Sequence, residues 1–148
     1  KVGEAIRDRA GTELSCLGPY EEYGGEPGNE ASMILKLSSG KFSMLFTGDL
    51  EGAGEEDFLQ GESGSGTYTV LKVPHHGSDG AATEAFLEQN NARYALISAG
   101  KDNPYGHPGE KLLKRLETCG IQTFCTKEDG AITLLVKGET MTIRKFLE

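Results

Sequence analysis

Asp49, His75, His76 and His107 are the residues of this chain whose types and placement suit metal-assisted hydrolysis. Asp49 closes the apolar run SMLFTGD. Its backbone leaves a sheet there while the carboxylate stays at the edge, where charge is costly unless a metal, a cation or several N–H groups hold it. As the N-cap of a helix starting near Glu51 it needs no metal, and the Gly-Asp pair alone favours that simpler role. His75-His76-Gly77-Ser78 says more, because two of the three histidines stand together at a strand end. Alternation along a strand turns neighbours to opposite faces, so one imidazole can reach a metal while the other orients it or meets substrate. Gly77 permits close backbone approach, and Pro74 stiffens the turn. Imidazole is a common ligand in zinc and manganese hydrolases, usually with an acceptor on its other ring nitrogen. A pair of exposed or core histidines is the plainer alternative.

His107 sits in NPYGHP, with Pro108 suited to a first helical turn. A place near a positive helix end favours the neutral ring, able to accept a proton or bind an anion. An incidental histidine in a Pro/Gly turn fits equally well. Lys72, on the strand before the histidines, can balance phosphate charge, although alternation turns it from them and a solvated lysine is commoner. Ser78 lies close to both histidines but lacks a visible oxyanion hole and third partner. No dinucleotide or Walker pattern occurs.

The elements that must position these residues alternate. Residues 1–10 suit a short helix and 13–17 a short strand, followed by EEYGGEPGNE as a surface loop. Residues 32–37 and 41–46 read as a hairpin around Ser38-Ser39-Gly40. Then come a helix over 55–60, a loop GESGSG, a strand over 68–73, a helix over 81–89 and a strand over 93–98. A helix over 109–119 places Leu112, Leu113 and Leu116 on one face and stops at Gly120. Strands over 121–125, 131–136 and 140–146 close the chain, with Asp129-Gly130 as a turn. Such alternation predicts an α/β domain with largely parallel central strands. The carboxyl ends of parallel strands share one edge, so Asp49, His75–His76 and His107 converge there.

Composition narrows the class. The 148 residues make one domain with a real core, and 26 % charged residues mark a soluble globular balance. No apolar run spans a bilayer, and the start at Lys1 without methionine reads as an excised fragment or processed product. A net charge of −8 argues against a non-specific nucleic-acid coat but leaves room for a phosphodiester in a narrow or metal-bearing cleft. Cys16, Cys119 and Cys125 form no CxxC motif; a Cys119–Cys125 bridge is open, and small buried thiols are the usual outcome.

NEASMILKLSSGKFSMLFTGDL, LKVPHHGS, SAGKDNPYGHP and TKEDGAITL, in that order from Asn29 to Leu134, resemble the metallo-β-lactamase-like domain of the ComEC family of DNA-uptake proteins. The resemblance implies a four-layer αβ/βα sandwich, of which this chain is the C-terminal half: a mixed sheet with helices on one face. It implies that Asp49 is the metal-bridging aspartate, that His75 or His76 is the late histidine ligand, and that Asn103 and His107 line the cleft with Tyr105 beside substrate. The family's reaction would be metal-activated attack on a phosphodiester, degrading the DNA strand not taken up. An integral-membrane parent with this domain outside the cytoplasm, the fragment itself being soluble, also follows from it.

The chain departs from that pattern at one place. The family's early HxHxDH or HxDxDH cluster is missing, since every histidine lies at or beyond position 75. Asp49 and one histidine do not complete a four-coordinate zinc site. A truncated domain with an incomplete metal site, inactive alone, is therefore expected, and its bare sheet face should favour self-association or the missing half. A non-catalytic module of the same fold, or a hydrolase of another ester or a lactam, is the alternative.

Overall fold

The computed structural model describes residues 1–19 and 28–147. Most of the EEYGGEPGNE loop lies outside them. Seven strands form one sheet in sequential order: β1 (Ala5–Arg7), β2 (Glu13–Gly18), β3 (Ile34–Ser39), β4 (Phe42–Phe46), β5 (Val70–Lys72), β6 (Tyr94–Ile97) and β7 (Gln122–Cys125). The first four are paired antiparallel, and β4 through β7 run parallel. The expected parallel centre is present, within a mixed sheet.

Residues 1–10 do not form the expected helix. Ala5–Arg7 instead pairs with β2, Ala5 opposite Ser15, and all three residues are exposed. Val2, Ala5 and Ile6 have helical spacing, but Gly3 weakens a helix there and pairing with β2 satisfies the backbone directly.

Helices α1 (Ala53–Gln60), α2 (Glu84–Asn90) and α3 (Glu110–Thr118) all lie on one sheet face. Phe58 of α1, Phe86 and Leu87 of α2, and Leu112 and Leu116 of α3 pack on Leu45, Leu71, Val73, Ala95 and Ile97. The Phe58 and Phe86 rings meet at 6.1 Å, and burying each such side chain contributes about 1.5–3 kcal/mol. Thr83 caps α2 by accepting the Phe86 N–H at 3.3 Å. Gly120, at φ 68, follows α3 in the left-handed conformation that ends a helix.

After β7 the chain makes one turn of helix, α4 (Thr126–Asp129), and a separate hairpin of β8 (Ile132–Lys137) and β9 (Thr140–Lys145). Leu134, Val136 and Met141 of the hairpin pack on the second face, against Phe42, Met44, Val70 and neighbouring Leu37, Phe46, Tyr94 and Leu96. That face is therefore not bare, as expected from sequence, but half-covered by the chain's own C-terminal hairpin. Asp129 and Lys145 join at 2.8 Å and tie α4 to β9. The three cysteines are free, so Cys119 and Cys125 are not bridged. Among the described residues, no helix is long and apolar enough to cross a membrane.

Candidate functional site

Three loops leave the carboxyl ends of β4, β5 and β6 side by side. Thr47 donates its hydroxyl to the Lys72 carbonyl at 2.7 Å, and the His75 N–H donates to the Gly48 carbonyl at 3.1 Å. These two bonds lock the Asp49 loop to the histidine loop. The Asp49 N–H is held by Ser32 Oγ at 3.1 Å. Asp49 does not cap α1; Gly52 occupies that position without a side-chain cap.

The histidines sit beyond the strand, in a tight turn opened by Pro74. His75 and His76 both have positive φ, 45° and 52°, followed by Gly77 at 87°. Left-handed backbone at two successive non-glycine residues is strained, and such strain clusters where side-chain direction matters. The side chains diverge because of this turn, not because of strand alternation. A Cβ on Gly77 would stand 2.8 Å from Pro108 Cβ, so the turn packs directly on the loop before α3.

His76 reaches Asp49. Its Nδ1 lies 2.7 Å from the Ser98 carbonyl, which can only accept, so Nδ1 bears the proton. In the neutral ring, Nε2 then carries the lone pair, and it stands 3.7 Å from Asp49 Oδ1. Both side chains are about half exposed.

His75 turns to Glu51 instead, Nδ1 to Oε2 at 2.8 Å. Asn29 donates to the other Glu51 oxygen at 3.0 Å, and its amide lies 3.3 Å from the same His75 nitrogen. Two donors cannot bond each other, so Glu51 is the shared acceptor and the Asn29–His75 approach is a consequence. Partial burial pushes the Glu51 carboxyl up, but bonds from His75, Asn29 and Ser78 outweigh it and hold it below the usual range. The His75 and His107 rings meet edge-on at 5.8 Å.

Glu51 and Asn29 are the site residues that sequence reasoning missed. Glu51 follows Asp49 by two positions, which was a local signal; Asn29 arrives from across a loop and gave none.

Ser78 joins the site through Glu51. Asn103 is absorbed in its own loop: its amide donates to the carbonyls of Gly100 at 2.7 Å and His107 at 2.8 Å, and its oxygen accepts the His107 N–H at 2.9 Å. Tyr105 stacks on His107 at 5.8 Å with planes 19° apart. Pro108 is not in the first turn of α3, which begins at Glu110 with Gly109 as its cap. Asp79 takes the α3 N-terminus by accepting the Leu112 N–H at 3.1 Å. The Lys72 ammonium donates to the Val73 carbonyl at 2.8 Å, within reach of the Asp49 charge. Burial lowers its pKa, and the charge of Asp49 opposes that shift.

Two ligand atoms on one tetrahedral zinc lie about 3.4 Å apart, so the Asp49–His76 spacing suits a shared ion. The donor count does not. Among the described residues, no group of three or more His, Cys, Asp or Glu is arranged to hold a metal. The residues of this chain do not by themselves fit the metal that the resemblance implies.

No family model matches the chain. Curated relatives do. Over 114 residues it is 38 % identical to ComE operon protein 3 of Bacillus subtilis (strain 168), covering 77 % of this chain and 15 % of that protein. Over 142 residues it is 33 % identical to competence protein ComA of Neisseria gonorrhoeae, covering 92 % and 20 %. Recombination protein 2 of Haemophilus influenzae is 36 % identical over 88 residues, covering 60 % and 11 %. The chain belongs to the ComEC family of competence proteins. It spans a fifth or less of the length of these relatives.

Proposed function

We propose that this ComEC-family chain is part of the metal-dependent DNA phosphodiesterase unit of a DNA-uptake protein. It supplies Asp49 and His76 to a zinc or manganese centre whose other ligands come from elsewhere in the longer protein. The observation that carries this reading is the aim of His76: Ser98 fixes its tautomer so that Nε2 is free and faces Asp49 at 3.7 Å. His75 is then the positioned neighbour, held by Glu51, and not the ligand.

The fold supports the same reading. Among the described residues, helices cover one sheet face and a two-stranded hairpin covers part of the other, which is what one half of an αβ/βα sandwich leaves. The other half stacks beside β8–β9. Without it, copies of the chain pair through the remaining half-buried Leu37, Phe46, Tyr94 and Leu96, which sedimentation velocity reads directly. In the parent, this unit stands on the outer side of the membrane.

The short donor set favours a second reading, a binding module of the same fold without catalysis. Cleavage of single-stranded DNA, with zinc or manganese, separates the two. The longer protein should cleave, and Asp49→Asn and His76→Ala should each reduce the rate at least a hundredfold. Unchanged cleavage in both variants, or cleavage by the 148-residue chain alone, overturns the half-site.

A further inference from the structure

Beside His76, a cleft of about 220 Å³ is lined by His76, Ala99, Gly100, Asn103, Tyr105 and His107. Its walls are rings and its floor is small. Tyr105 is 79 % exposed although it stacks on His107, so the ring offers aromatic surface outward from a fixed partner. Thr126 pins the floor, its hydroxyl accepting the Ala99 N–H at 3.0 Å and donating to the Ala99 carbonyl at 2.9 Å. The amide of Asn103 is spent on its own loop and has little left to read a ligand. Such a cleft recognises a flat ring by stacking and shape, not by a donor–acceptor pattern. With a net charge of −8, the chain has little general attraction for a phosphate backbone, which leaves stacking to provide the local contact.

We propose that this cleft is a stacking subsite for one nucleobase of single-stranded DNA, with Tyr105 and His107 as the platform. The proposal rests on the phosphodiesterase reading above and adds where the base beside the reacting linkage sits, since His76 belongs to both the Asp49 pair and the cleft wall. Stacking of this kind is tolerant of base identity.

Amide NMR of the 148-residue chain, titrated with a thymidine tetranucleotide and an abasic tetramer, tests it. Shifts should gather over residues 99–107 with the thymidine oligomer and not with the abasic one. Tyr105→Ala should weaken binding roughly tenfold and Tyr105→Phe should preserve it. Gly100→Leu should obstruct the cleft without unfolding the chain, because a Cβ there meets only Asn103 Cβ at 3.9 Å. Equal binding by Tyr105→Ala and the unaltered chain overturns the subsite, as does binding of the abasic tetramer alone or no oligonucleotide binding. Shifts from the peptide Gly-Trp-Gly without shifts from DNA also overturn it. The Asp49→Asn cleavage assay reports separately on the phosphodiesterase reading.

Discussion

His76 faces Asp49 across 3.7 Å because the Ser98 carbonyl, 2.7 Å from Nδ1, takes the ring's proton-bearing side. Ser98 follows one parallel strand, His76 the second and Asp49 the third. The relationship is a property of the sheet edge, fixed by three neighbouring strand ends.

Zinc binding should distinguish the two histidines. In isothermal titration of the 148-residue chain, any weak zinc binding should disappear in His76→Ala and Asp49→Ala. His75→Ala should weaken it by no more than about tenfold, the effect of losing an outer support. Equal losses at His75 and His76 would contradict the assignment.

Glu55 is 1 % exposed and accepts the N–H groups of Ala82 and Thr83, both at 2.8 Å. Glu55→Ala strips the buried Ala82 N–H and the part-buried Thr83 N–H of their acceptor and should cost about 3 kcal/mol in urea unfolding. Exposed Glu56→Ala, one residue on, should stay within about 0.5 kcal/mol.

Gly54→Ala should destabilise, against the usual gain for such a change inside a helix. A Cβ at Gly54 would lie 2.2 Å from the Glu30 carbonyl oxygen, pressing on the turn that presents Asn29. A lowered urea midpoint, with altered amide shifts at Asn29 and Glu51, is the expected result. An unchanged midpoint would show that the turn yields without cost.

Asp129 links stability to acid pH. The Lys145 hydrogen bond is the largest influence and holds its carboxyl below the usual range; partial burial opposes it and the Cys125 N–H assists. A depressed folded-state value means this stabilisation is complete above the unfolded carboxyl's pKa, about 3.9, and is lost as pH falls through the folded one. The gap in urea midpoint between the native chain and Asp129→Asn should therefore hold steady above about pH 5 and close below about pH 4. A constant gap down to pH 2 would remove Asp129 as its source.

Much of the sheet was legible because its strands are short apolar runs bounded by Gly, Pro and Ser. The hairpin around Gly40, the α3 stripe at Leu112 and Leu116 (Leu113, expected on the same face, is exposed), and the strand-end placement of Asp49 and His75–His76 follow local pattern. Ala5–Arg7 was misread because its strand pairing depends on β2, not on anything within the segment. Glu51's role was hidden for a related reason: its partners are His75 and Asn29, brought in from separate loops.

The sequence by itself determined that Asp49, the two histidines and His107 gather at one edge, because parallel strands carry their carboxyl ends together. Only the tertiary structure decided which histidine meets Asp49. Left-handed backbone at His75 and His76 sends the rings apart, and Ser98 and Glu51 then fix each one. Those directions depend on φ values and distant acceptors, which residue order does not specify.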